Sequence, residues 1–218
     1  NRNRGMVSHS DSELYQAFDL CYDYDIYGDF LSYVQGKTEL TDYVKALERQ
    51  ESIYPADYAK LRFLENHDRP RMAHLFPDRR TRLNWLCWMF FQKGTALLYS
   101  GQEWENDHRP DLFDADPIPM EGTAPLEGLI QRLTAMKKEP IFARGAYSLQ
   151  ACPNDVLLAA WKEEGRRLTG AFCLRGAPSL VSVELPDGRY ENLLEPGKTL
   201  RVESGLLALD GNPAVLEG

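Results

Sequence analysis

The chain has 218 residues, with 25 Lys and Arg against 33 Asp and Glu, a formal charge of −8; that acidity argues against a general binder of nucleic acid or anionic membrane, since phosphate attraction needs clustered Lys and Arg. Hydrophobic residues at 43% and aromatics at 11% exclude a disordered chain, and the length suffices for a real core in one large or two smaller domains. No uninterrupted apolar run of membrane-spanning length and no signal peptide are found.

From the N-terminus, Phe18–Tyr27 reads as a short aromatic strand. Leu40, Tyr43, Val44 and Leu47 fall at i, i+3, i+4 and i+7, one face of a helix for which Thr38 is the expected N-cap. Leu61–Leu64 is a second strand. Leu83, Leu86 and Phe90, with Trp85, Trp88, Met89 and Phe91 between them, make a helix apolar almost all round, which predicts burial on more than one side. Gly94 is expected to cap its C-terminus, and Thr95–Tyr99 is a third strand. Leu126, Leu129, Ile130, Leu133 and Met136 mark a third helix, with Pro125 in its first turn. Short apolar strands alternating with helices are the pattern of an α/β domain with a parallel sheet.

After residue 145 the pattern changes. Val156–Trp161, Leu168–Leu174, Leu180–Leu185, Tyr190–Leu194 and Thr199–Val202 recur at short spacing. Between them lie Asn154-Asp155, Gly176-Ala177-Pro178, Pro186-Asp187-Gly188 and Pro196-Gly197, which are turn chemistries of antiparallel strands. The expected organisation is an α/β segment over residues 1–144 and an all-β module, a small sandwich, over 145–218. Cys21, Cys87, Cys152 and Cys173 form no C-x-x-C pair and have no His at zinc spacing. They read as reduced structural thiols of a cytoplasmic protein.

Arg62-Phe63-Leu64-Glu65-Asn66-His67-Asp68-Arg69-Pro70-Arg71 takes an apolar strand straight into a dense polar cluster. In parallel α/β sheets and barrels, ligands bind where side chains leave the packed interior at the carboxyl ends of strands. A His beside an Asp can donate to hydroxyls, and the carboxylate can accept two hydroxyl hydrogens, which is the equipment for a polyol. A strand-end turn whose Asp caps the next helix explains the same residues equally well.

At these residues the sequence resembles the α-amylase family, glycoside hydrolase family 13. Phe63 to Arg71 is similar to the motif that ends the family's seventh barrel strand, with its Asn-His-Asp core. Gly94-Thr95-Ala96-Leu97-Leu98-Tyr99-Ser100-Gly101-Gln102-Glu103 resembles the eighth-strand segment. The gap between them holds one helix, as that fold requires. Phe18 to Tyr24 then corresponds to the sixth strand. The implied fold is the C-terminal part, about strands six to eight, of a TIM-type (β/α)8 barrel followed by an antiparallel β domain. Residues 1–17 correspond to the helix and loop that lead into the sixth strand.

By position, the resemblance makes Asp68 the third essential carboxylate, a stabiliser of the distorted, oxocarbenium-like sugar rather than nucleophile or proton donor, and His67 a ligand of the same sugar. Asn66 and Arg71 match positions that bind substrate or, in chloride-dependent members, chloride; a purely structural role is preferred for them. Calcium and chloride are cofactors implied only for a full-length enzyme, with none assigned to this chain. The partner implied is an α-glucan oligosaccharide or polysaccharide. Glu103 and Trp104 lie in the loop after the eighth strand, where Trp104 could stack a sugar face; a solvated loop is the competing reading. Tyr22-Asp23-Tyr24-Asp25 offers a metal or sugar site, with core aromatics the preferred reading.

A retaining glycosidase needs a nucleophile and an acid/base carboxyl about 5–5.5 Å apart. The family's Gly-x-Arg-x-Asp nucleophile motif does not occur here, nor do its acid-Glu motif and its early Asn-His motif. With no initiator Met before Asn1-Arg2-Asn3-Arg4-Gly5, the expectation is the C-terminal portion of an α-glucan hydrolase, inactive alone. Transglycosylation, and a non-catalytic carbohydrate-binding or structural module, stand as alternatives. Three parallel strands with a bare face also predict self-association.

Overall fold

The computed structural model describes residues 10–218, so the helix-and-loop segment expected over 1–17 is seen only from Ser10, and residues 1–9 lie outside the described residues. In chain order the elements are α1 (Asp11–Leu14), β1 (Leu20–Tyr22), α2 (Tyr27–Val34), α3 (Leu40–Ile53), β2 (Ala59–Arg62), α4 (Met72–Leu75), α5 (Arg79–Phe91) and β3 (Thr95–Ala96). A short 3-10 turn, Gln102–Trp104, precedes α6 (Glu127–Lys137) and α7 (Ile141–Arg144). Eight strands close the chain: β4 (Ala146–Cys152), β5 (Val156–Glu163), β6 (Arg166–Cys173), β7 (Ser179–Ser182), β8 (Gly188–Glu191), β9 (Thr199–Glu203), β10 (Leu206–Leu209) and β11 (Ala214–Glu217). No helix among the described residues is long and apolar enough to cross a membrane. Two compact units emerge, Asn1–Phe63 with Gln92–Leu97, and Leu64–Phe91 with Leu98–Gly218.

The first unit holds a parallel sheet in the order β1-β2-β3, with Tyr22 opposite Leu61 and Arg62 opposite Ala96. One face of it is unexpectedly polar. Lys60 and Arg62 alternate along β2 and are both buried. Lys60 bonds Asp11 and reaches Asp25 at 3.0 Å, with its Nζ 4.5 Å from the Tyr54 ring centre. Arg62 Nη1 donates to Asp23 at 2.6 Å and to Gln50 at 2.8 Å. Burial pushes the Asp23 carboxyl up against the pull of Arg62, whereas hydrogen bonds from Tyr54 and Gln50, with the Lys60 charge, overcome burial at Asp25 and hold it down. Buried charges persist when paired and hydrogen-bonded in this way. Asp23 and Asp25 are thus committed to ion pairs, and among the described residues no group of three His, Cys, Asp or Glu side chains is arranged to hold a metal ion. The opposite face shows Leu20 and Tyr22 at 41% and 45% exposure, beside Phe18 at 60%.

Two local expectations are corrected here. The N-cap of α3 is Glu39, whose N–H meets Asp42 at 3.2 Å, rather than Thr38. Gly94 does not cap α5, which ends three residues earlier at Phe91. It adopts φ +101°, and a Cβ there would fall on the Lys60 carbonyl and within 2.7 Å of the Lys60 nitrogen. Its role is close approach to β2, and only glycine permits it.

In the second unit the antiparallel strands form two four-stranded sheets, β11-β6-β5-β4 and β7-β10-β9-β8. Val156, Leu158, Ala171 and Cys173 from the first meet Val181, Val202, Leu207 and Leu209 from the second in one core, a β-sandwich. The first sheet is buried on its other face as well. There Phe172 lies 5.5 Å from the rings of both Trp88 and Phe91 on α5, and the Trp161 ring lies 5.4 Å from that of Phe142 on α7. This double burial explains the all-round apolar α5, in which Asn84 to Phe91 are all buried. Trp161 Nε1 donates to the Phe91 carbonyl at 2.9 Å. Asn84 closes the same contact: its Oδ1 accepts the Cys173 N–H at 2.7 Å and its Nδ2 donates to Gly211 O at 2.9 Å. The fold class is therefore a parallel α/β segment followed by an antiparallel sandwich. α6 starts at Glu127, one residue after its Leu126 cap, which leaves Pro125 outside the helix.

Candidate active site

In the chain, β2 runs out at Arg62, and the polar motif follows. Glu65 and Arg71 anchor it. Both side chains are 1% exposed, joined Nη1 to Oε1 at 2.7 Å. The second Glu65 oxygen accepts the Met72 N–H at the start of α4. Burial pushes the Glu65 carboxyl up, the Met72 N–H and Arg71 hold it down, and the nearby Glu103 carboxylate adds to the rise. Arg71 continues outward: Nε donates to His108 O at 2.6 Å, and the guanidinium stacks 4.5 Å from the Tyr99 ring centre. Gly101 lies alongside at φ +87°, where a Cβ would sit 2.6 Å from the Ile118 side chain.

Between these anchors the backbone turns sharply. Asn66 is buried, and its Oδ1 accepts the Asp68 N–H at 2.9 Å while its carbonyl accepts the Arg69 N–H at 3.1 Å, an Asx turn. His67 and Asp68 stand out from it with side chains 56% and 53% exposed, Nε2 and Oδ2 3.5 Å apart. The turn fixes the backbone of two side chains that point to solvent, between buried Asn66 and the half-buried Arg69 and Pro70.

The expected site residues thus fall into three groups. His67 and Asp68 come together on the surface. Asn66 and Arg71, for which a structural role is the preferred expectation, are buried inside the turn. Glu103 and Trp104 line a separate groove of about 520 Å³ with Leu98, Thr123, Glu127 and Gln131; Trp104 is half-buried and donates Nε1–H to Glu121 O at 3.2 Å. Glu65, which ties Arg71 to the start of α4, is a buried anchor of the turn that sequence reasoning missed. Its signal was a carboxylate at the buried end of an apolar strand with an Arg six positions on.

The loop after the 3-10 turn is tied back to this site. Arg109 Nη2 donates to His67 O at 3.3 Å. His108 Nε2 lies 2.8 Å from Asp116. Backbone N–H groups of Phe113 and Asp114 hold the Asp111 carboxyl low, and the Asp111 N–H, then His108, do the same for Asp116.

Residues 148–216 match the family profile described as the bacterial α-amylase C-terminal domain. No curated protein matches the chain. Among solved structures, an α-amylase from Lactobacillus plantarum is similar over 100% of this chain and 51% of its own, at 38% identity and a TM-score of 0.93. The chain is thus similar to α-amylases over its whole length, and its residues 148–216 match their bacterial C-terminal domain. A noncanonic maltogenic α-amylase from Thermotoga neapolitana is 26% identical across 95% of this chain and 52% of that one, with a TM-score of 0.83. An Anoxybacillus α-amylase, 21% identical across 94% and 48% with a TM-score of 0.76, shares the fold. The chain spans about half the length of these amylases.

Proposed function

We propose that the chain is the C-terminal part of a retaining glycoside hydrolase acting on α-glucans of the starch and maltodextrin type, with Asp68 stabilising the transition state and His67 binding the same sugar. The observation that carries this reading is the exposed His67–Asp68 pair, held by a buried Glu65–Asn66–Arg71 frame directly after a parallel strand, in a chain similar throughout to a bacterial α-amylase. The Asp68 carboxylate accepts hydrogen bonds from two adjacent sugar hydroxyls, and His67 reaches a third. These contacts accelerate the reaction only insofar as they tighten when the ring flattens toward the oxocarbenium state. Asn66, Glu65 and Arg71 act through the turn, fixing where Asp68 stands. Glu103 and Trp104 serve the same glucan from the neighbouring groove.

Transglycosylation differs only in whether water or a sugar hydroxyl reaches the intermediate. A non-catalytic module describes the 218 residues taken alone, because the family's nucleophile motif is absent from them. With this reading we carry three further assignments: a domain boundary between residues 144 and 145, a cytoplasmic setting suited to four free thiols, and self-association through the bare face of β1. The test is kinetic. The isolated chain should hydrolyse no maltodextrin, and an N-terminally extended chain should. In the longer chain Asp68→Asn should lower turnover by at least about a hundredfold, as loss of a transition-state hydrogen-bonding group does, with glucan binding largely intact. Near-normal turnover removes Asp68 from the mechanism.

A further inference from the structure

A sandwich of two open sheets has four edge strands, and each edge presents backbone N–H and C=O groups that can template a further strand. Here the edges are β11 and β4 in one sheet and β7 and β8 in the other. Three of them are protected. Val215 in β11 donates its N–H to Asn192 Oδ1 at 3.0 Å and accepts the Leu193 N–H at 2.9 Å, so residues 192 and 193 cover that edge. β7 and β8 have only four residues each. Pro178 precedes β7, and β8 carries exposed charges at Arg189 and Glu191.

β4 has none of these devices. Its seven residues, Ala146-Tyr147-Ser148-Leu149-Gln150-Ala151-Cys152, include no charge and no proline. They pair with β5 without interruption from Ala146 opposite Lys162 to Cys152 opposite Val156, so no bulge turns the strand away. Among the described residues, no backbone group outside β5 bonds that of Ser148, Leu149 or Gln150. Ser148 and Gln150 are exposed, and with Ser182 and Glu184 they line an open concavity of about 330 Å³ between the two sheets.

We propose that β4 is a dimerisation edge: two copies of this chain pair β4 with β4 antiparallel, about a two-fold axis at Leu149, and so join two four-stranded sheets into one of eight strands. The sequence of the strand points to a second copy as the occupant. A closed two-fold contact has to be self-complementary. Reversing Ala146–Cys152 about Leu149 sets Ser148 opposite Gln150, Tyr147 opposite Ala151 and Ala146 opposite Cys152. Hydroxyl meets amide on one face, Tyr147 and Leu149 meet apolar partners on the other, and no like charges face each other, as stable cross-strand pairs require. This surface is separate from the exposed face of β1, since it lies wholly after residue 145 and acts through backbone hydrogen bonds.

The experiment is sedimentation velocity at micromolar concentration on the unaltered chain and on two double variants of the exposed pair. One combines Ser148→Lys with Gln150→Lys, the other Ser148→Lys with Gln150→Glu. Association through β1 is common to all three chains, so differences among them report β4. The doubly cationic variant sets like charges opposite each other twice and should self-associate about tenfold more weakly than the unaltered chain. The variant with opposite charges should associate at least as tightly as the unaltered chain. Leu149→Lys and Leu149→Glu give an independent reading, because Leu149 meets itself on the axis: each should dissociate alone, and an equimolar mixture should reassociate. Equal association of the two double variants, or a mixture of the Leu149 variants that stays dissociated, overturns the inference. So does an N-terminally extended chain in which the two double variants behave alike, because the preceding residues then cover β4.

Discussion

Arg71→Met separates the two roles of the buried frame beneath Asn66-His67-Asp68, and its cost can be worked out beforehand. Glu65 and Arg71 are each 1% exposed and joined at 2.7 Å. Without the guanidinium, the carboxylate keeps only the Met72 N–H. Burial already pushes Glu65 up, so in the variant it takes a proton in the folded state rather than stay charged. Proton uptake sets the ceiling on the electrostatic loss. For a carboxyl that titrates at roughly 4.3 when unfolded, this is about 3.7 kcal/mol at pH 7 and about 1 kcal/mol at pH 5. The His108 carbonyl also loses its donor, which adds about 1 kcal/mol at either pH. Met keeps an apolar stem against Tyr99, so little packing is lost.

The direction with pH follows from proton counting. The folded variant binds more protons than the unfolded chain above roughly pH 4.3, so its stability falls as pH rises through that range. Urea unfolding followed by circular dichroism should therefore show a loss of at most about 4–5 kcal/mol at pH 7, falling to at most about 2 kcal/mol at pH 5, relative to wild type. The double variant Glu65→Gln, Arg71→Met should lose that pH dependence. Equal losses at the two pH values, or a loss under about 1 kcal/mol at pH 7, would refute the claim that the turn rests on a buried, charged pair.

Two further predictions concern the rest of the chain. Asn84→Leu strands the Cys173 N–H and the Gly211 carbonyl in the interior; two unpaired buried groups cost about 2–5 kcal/mol together, and Tm should fall by about 5–15 °C, whereas a shift of a degree or two would mean that water replaces the amide. The isolated chain should scatter light as a dimer or larger species, and Tyr22→Lys on the exposed face of β1 should shift it toward monomer. A clean monomer for the unaltered chain at micromolar concentration would remove self-association.

What the sequence made legible was governed by periodicity and by turn chemistry. The all-round apolar stretch from Trp85 to Phe91 announced burial on two sides, and α5 has it. Asn154-Asp155, both at positive φ (58° and 54°), form the β4–β5 turn where the dipeptide placed one. Three strands of the sandwich were passed over. In β4, Tyr147, Leu149 and Ala151 alternate with Ala146, Ser148 and Gln150, a period-two pattern diluted by small residues. β10 sits behind a Ser204-Gly205 turn at φ 52° and 72°, a short-hairpin signal that the apolar run Leu206-Leu207 obscured. β11 is only four residues, although Gly211-Asn212-Pro213 marks a turn before it.

The harder failures share one cause, which is charge placed where a pattern expects apolar side chains. Lys60 and Arg62 alternate along β2 as residues of a solvated face do, so β2 was read two residues late, at Leu61–Leu64. Their burial depends on Asp11, Asp23, Asp25 and Gln50, which lie 12 to 49 positions away, and no local window contains both halves of those pairs. The same holds at the site. Asn66-His67-Asp68 was legible as chemistry because its residues are adjacent. The division of labour within it was not, because that depends on which side chains the fold buries. Glu65 and Arg71 are charged like Asp68 and sit within six residues of each other, yet they are buried as a pair while Asp68 faces solvent. A motif therefore names the groups, and the fold decides which of them it buries in the turn and which it leaves at the surface.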